Sequence, residues 1–136
     1  MSLAISTVLR LPFDEAVART RTALAEQGFG ILTEINVTDT LKTKLDVDME
    51  NYLILGACNP PLAHRALGVN RQIGLLLPCN VVVRTDPTDP SNSIVEAMNP
   101  DLMVEVSGEA ELASVAQDAS AKLRAAIAAL ERAASS

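Results

Sequence analysis

Tryptophan is absent from this chain, tyrosine occurs once and phenylalanine twice. The core must therefore be aliphatic, built from Leu, Ile, Val and Ala. So few aromatic rings also remove the stacking platforms on which single-stranded nucleic acids are held. Cations are short too: 11 Lys and Arg face 17 Asp and Glu, giving a net charge of -6 and a pI near 4.7. A duplex binder draws most of its affinity from Lys and Arg set against phosphates, so no nucleic-acid partner is expected. The acidic balance serves solubility. No apolar run reaches the length of a membrane span, so no membrane partner is expected either. The first residues, Met1 to Val8, lack the basic start and long apolar stretch of a signal peptide, and Arg10 and Pro12 cut them short. A soluble, cytoplasmic protein is the expectation. Also missing are a Gly-rich phosphate loop, a Gly-x-Ser-x-Gly elbow and a His-rich metal cluster. With His64 the single histidine, a conventional Ser or Cys hydrolase would depend on that residue alone.

What is present points to a globular protein. The 136 residues suffice for one domain, 1–136, with a buried core, and 49% apolar against 21% charged residues excludes global disorder. Both cysteines, Cys58 and Cys79, are expected to be free thiols in a reducing compartment, and a chain of this size needs no disulfide for stability.

Taken in order, Ala4 to Arg10 reads as a strand and Leu11-Pro12 breaks it. A helix follows from Phe13, with Phe13, Ala16, Val17, Thr20 and Leu24 on one face and Gly28 as its left-handed stop. The period then changes to two. Ile31, Thr33, Ile35 and Val37 are expected on one face of a strand, with Leu32, Glu34 and Asn36 on the other. Thr38 or Asp39 is expected to cap a short helix carrying Leu41 and Leu45. Leu53 to Cys58 reads as a buried strand, after which Asn59 caps a helix with Pro60 and Pro61 in its first turn. Arg71 to Leu77 is ambiguous, expected to begin as a helical turn and finish extended at Pro78. Val81–Arg84 and Ser93–Met98 form a hairpin around the turn-rich Asp86–Asn92. The longest helix runs from Glu109 to Ala133, with one apolar stripe through Leu112, Val115, Ala119, Leu123, Ile127 and Leu130. This order predicts an α+β fold, β-α-β(4)-α: a mainly antiparallel sheet packed against the N-terminal helix and the long C-terminal helix, with short helices in the connections.

The stretch from Tyr52 to Asn80 collects the candidate chemistry. It holds both cysteines, each after an apolar run and each followed by asparagine, together with His64. A thiol at a strand-to-helix junction can meet free backbone N–H groups, which favour the thiolate. If Cys79 and His64 came near Cys58, the three could hold a soft metal, carry a persulfide or cycle through a disulfide. Cys-x5-His, with the second cysteine 21 residues after the first, matches no standard metal spacing. Both cysteines are equally readable as small buried hydrophobes. His64 reads as a base, a ligand or an ordinary helix residue. Glu34, with Lys42 and Lys44 on the following helix, suits an anion site, acid–base work or a rim ion pair. Asn59 and Asn80 read as backbone caps, and Asn80 could also offer its amide to a ligand.

Five segments together carry a resemblance: Gly28 to Val37 (GFGILTEINV), Leu41 to Leu45 (LKTKL), Tyr52 to Pro60 (YLILGACNP), Leu62 to Leu67 (LAHRAL) and Ile73 to Val83 (IGLLLPCNVVV). The chain resembles the bacterial and archaeal family called domain of unknown function 302, over Leu11 to Leu130. The resemblance implies a TATA-box-binding-protein-like sheet-and-helix fold and a homodimer, with no implied DNA binding. It carries Glu34, Lys42, Lys44, Cys58, Asn59, Pro60, His64, Pro78, Cys79 and Asn80 as motif positions, without catalytic roles, and it names no cofactor. Three functions follow as expectations. The first is a homodimeric protein binding a small ligand, thiol-reactive species or soft metal around Cys58, Cys79 and His64. The second is a thiol-dependent enzyme with Cys58 as nucleophile and His64 or Glu34 moving protons. The third is a purely structural motif without a ligand.

Overall fold

Proline and glycine punctuate the chain, and the elements fall between them. The structure is a computed structural model and describes residues 2–134. Strand β1 (Ala4–Leu9) stops before Pro12, which sits at the N-cap of helix α1 (Phe13–Glu26). Helix α1 buries Ala16, Thr20, Ala23 and Leu24, and carries Asp14 and Glu15 at the positive end of its dipole. Gly28 follows with φ +83°, a left-handed conformation that side chains resist, and a Cβ there would lie 3.1 Å from the Asn59 side-chain amide.

Strand β2 (Gly30–Asn36) passes directly into helix α2 (Val37–Leu45). Its cap is Asn36, whose side chain accepts the Asp39 N–H at 3.0 Å, rather than Thr38 or Asp39. Thr38 is engaged elsewhere: its hydroxyl donates to the Glu50 carbonyl at 2.7 Å and accepts the Tyr52 N–H at 2.9 Å. That pair of bonds ties α2 to strand β3 (Tyr52–Cys58). Helix α3 (Pro60–Val69) and a 3-10 turn (Arg71–Leu76) come next, so the ambiguous stretch is helical for most of its length. A cis Leu77–Pro78 bond leads into strand β4 (Cys79–Thr85), which pairs through the predicted long loop with β5 (Ser93–Met98). Helix α4 (Asp101–Ser107), a second 3-10 turn (Ala110–Leu112) and helix α5 (Ala113–Ala134) complete the chain.

The five strands form one sheet in the order β1-β5-β4-β3-β2, antiparallel at every pairing. The expected α+β architecture is what the chain adopts. Consecutive strands β1 and β2 lie at opposite edges, so α1 must cross the whole covered face to join them. One detail departs from simple alternation. Ile31 pairs with Ala57 and Thr33 with Gly56, so a bulge leaves Leu32 without a partner. The extra residue puts Ile31 and Thr33 on opposite faces. Ile31 packs against the core, whereas Leu32 is 68% exposed.

Two apolar clusters hold the layers together. The larger joins the covered sheet face (Leu9, Leu55, Val83, Val95) to α1 and the second half of α5 (Leu123, Ala126, Leu130). The smaller joins α3, the first 3-10 turn, α4 and the start of α5 through Leu62, Ile73, Met103, Leu112 and Val115. Each buried leucine or isoleucine contributes about 1.5–3 kcal/mol, so the sheet layer dominates stability and the second cluster pins the connections. Among the described residues no helix is long and apolar enough to cross a membrane.

Candidate functional site

The thiols sit where the two clusters meet. Cys58 ends β3 and Cys79 begins β4, and these strands are neighbours in the sheet. Cys79 pairs across with Ala57, the residue before Cys58, so antiparallel register alone brings the two junctions side by side. Both cysteines line one small, mainly apolar cavity of about 20 Å³. Phe29 and Ala57 close it from the larger cluster, and Leu62, Ala66 and Met103 from the smaller one. That volume holds about one water-sized probe. Both thiols are free; Cys58 is half-buried and Cys79 buried. Burial first, and then the charge Cys58 would carry beside it, push the Cys79 thiol up to about 11. Cys79 is therefore a neutral thiol at physiological pH.

The helix start after Cys58 differs from the one the sequence suggests. Pro60 and Pro61 occupy its first two positions and have no N–H to offer. The next donors are engaged: the Leu62 N–H meets the Asn59 side-chain oxygen at 3.4 Å, and the Ala63 N–H the Asn59 carbonyl at 2.9 Å. The Asn59 amide donates in turn to the Gln27 carbonyl at 3.3 Å, tying the start of α3 to the end of α1. Asn59 thus fixes the junction, and the backbone donors that would favour a thiolate at Cys58 are deleted or occupied.

The remaining sequence candidates lie elsewhere. His64 is exposed on α3 and does not line the thiol cavity; Leu62 and Ala66 are the buried residues of that helix. Glu34 pairs with Arg21 of α1 at 2.7 Å. Lys42 is held by Asp46 at 2.9 Å and Asp48 at 3.1 Å, and those bonds raise its pKa. Lys44 is exposed on α2, and Asn80 is exposed on β4, opposite Gly56. Of the eight candidates, the cavity gathers Cys58, Asn59 and Cys79. Among the described residues no group of three His, Cys, Asp or Glu could hold a metal ion.

Sequence reasoning missed a second feature. An open groove of about 730 Å³ lies between the end of α1, the start of α3 and the middle of α5. Glu26, Gln27, Arg65, Asp118 and Lys122 line it, and Asn59 and Leu62 belong to both its wall and that of the thiol cavity. Arg65 is fixed across it, to Asp118 at 2.7 Å and to the Ser114 hydroxyl at 3.0 Å. Its residues come from three distant segments, so no local motif announces it. The available hint was polar side chains such as Asp118 and Lys122 within an otherwise alanine-rich helix.

Fold and site together define a small α+β protein with two free thiols at one inter-strand junction. The chain belongs to the family described as Domain of unknown function DUF302, whose profile matches residues 5–130. It is similar to the crystal structure of an uncharacterized conserved protein DUF302 from Bacillus stearothermophilus. The two share 26% identity and a TM-score of 0.86, over 96% of this chain and 99% of that one. The chain matches none of the curated proteins.

Proposed function

We propose that the protein is a small homodimeric binding protein whose ligand is a thiol-reactive species captured at Cys58, with Cys79 as its buried neighbour. The observation that carries this reading is one cavity lined by both cysteines, Cys58 half-buried and Cys79 buried. A space of about 20 Å³ admits a reacting atom or small group and excludes a whole organic molecule. Among the described residues no His, Asp or Glu joins the two thiols in a group that could hold a metal ion, so a soft metal there would have only the Met103 thioether beside them, which favours the thiol-reactive species. The enzymatic alternative has less support, because His64 lies outside the cavity and Pro60 and Pro61 supply no donors.

The dimer rests on a different region. Leu32 and Ile35 on edge strand β2, Leu45 at the end of α2 and Val47 in the loop after it are 68%, 49%, 66% and 43% exposed. An unpaired edge strand beside exposed apolar side chains is a surface that a second copy would cover. Native protein treated with methyl methanethiosulfonate tests the thiol part by peptide mass mapping. One S-methylthio group on Cys58 is the expected product; unmodified Cys58 under native conditions contradicts the reading. Light scattering on Leu32→Asp tests the dimer, which should dissociate.

A further inference from the structure

An antiparallel sheet with one solvated face normally alternates apolar-in, polar-out. Strands β3 and β4 instead carry unbroken apolar runs, Leu53-Ile54-Leu55 and Val81-Val82-Val83, the pattern of strands covered on both faces. Leu53, Leu55, Val81 and Val83 are buried in the larger cluster, so Ile54 and Val82 point to the side away from α1 and α5. The register sets Ile35, Ile54 and Val82 next to one another across β2, β3 and β4, and Val8 next to Ile94 across β1 and β5. All five are half-buried or exposed. Between the two groups lie Arg84 and Glu96, which neutralise each other at 2.7 Å, and the other positions on this face carry no charge. The face is apolar, neutral and bare.

Its size fits one kind of occupant. Five strands, each six or seven residues long, span roughly 24 Å by 20 Å. That is about 500 Å² per copy, the share each partner supplies to a specific interface of about 1,000 Å². A chain of charge -6 repels its own copy over most of its surface, and a face whose one ion pair is satisfied internally escapes that repulsion. Through Ile35 the face also continues to the β2 edge. We infer that a second copy packs on this face, sheet against sheet about a two-fold axis, with Ile54 and Val82 at the centre and the β2 edge as the rim. The inference rests on the reading of the chain as a homodimer and says where the two copies meet. Twisted sheets stacked in this way keep their strands within about 30° and their inner faces about 10 Å apart, and the two-fold axis sets the same apolar patch against itself.

The test is sedimentation velocity over a concentration series, run on the full chain and on two variants of Val82. The wild type should sediment at twice the 14.4 kDa chain mass. Val82→Glu puts a charge at the centre of the interface of both copies and should sediment as a monomer with the wild-type far-UV circular dichroism. Val82→Thr keeps the β-branched shape and the fold, and its hydroxyl should raise the dimer dissociation constant about tenfold, so it decides the question even if the glutamate variant fails to fold. A dimeric wild type with Val82→Thr, and any folded Val82→Glu, dimerising as tightly overturns the placement on the sheet face and leaves the homodimer reading standing. A wild type that stays monomeric across the series overturns both.

Discussion

The chain contains the dipeptide Cys-Asn twice, and the two copies have opposite fates. Cys58-Asn59 closes a strand: its thiol is half-buried, and its asparagine is buried, capping α3 and holding the end of α1. Cys79-Asn80 opens a strand: its thiol is buried against Ala57, and its asparagine is exposed on the uncovered face. Position in the strand decides. At a strand end the next side chain is free to turn back and cap a helix. Inside a strand, alternation sends neighbours to opposite faces. One dipeptide therefore supplies a half-buried cysteine with a structural amide, and the other a buried cysteine with an idle amide.

The largest effect that sharpens this contrast is on pH dependence. The folded-state pKa of Cys79 is raised from 9.0 to about 11, so its contribution is fully present below pH 9 and lost as pH rises through about 11. Across that window the unfolded chain has released the proton and the folded one has not, so stability falls with pH. The loss is roughly 2–3 kcal/mol and should vanish in Cys79→Ala, as read from urea unfolding at both ends of the window. Next in size, Cys79→Ser places a hydroxyl in the apolar cavity and should cost about 1–3 kcal/mol, against less than about 1 kcal/mol for Cys58→Ser. Gly56→Ala, opposite Asn80, should also cost about 1–3 kcal/mol in chemical denaturation. Its Cβ would overlap the Thr33 hydroxyl and come within 2.9 Å of Pro78 Cγ, just before Cys79. Smaller again, Asn59→Ala should lose about 1 kcal/mol of capping, whereas Asn80→Ala should stay within about 0.5 kcal/mol.

Much of this architecture was legible because its signals are local. Pro12, Gly28 and Asn59 mark boundaries that the fold keeps, and the apolar stripe through Leu123 and Leu130 faces the core as its spacing demands. The bulge at Leu32 was not legible, since period-two counting assumes an uninterrupted ladder and nothing in Ile-Leu-Thr signals an extra residue. The adjacency of the two Cys-Asn junctions comes from the β3–β4 register, a long-range property that no local spacing carries. Proline in the first turn of α3 was read correctly as structure. Its chemical consequence, the removal of donors beside Cys58, emerges when each N–H is traced to its partner. The groove was illegible because Glu26, Asn59 and Lys122 meet only after α1 and α5 have packed.

The most direct measurement is the site-resolved rate of alkylation by iodoacetamide at pH 8, in buffer and in urea. Cys58 should react at least about fifty times faster than Cys79 in the folded protein, with the ratio collapsing toward unity once the chain is unfolded. Equal rates at the two sulfurs in the folded state would contradict the account.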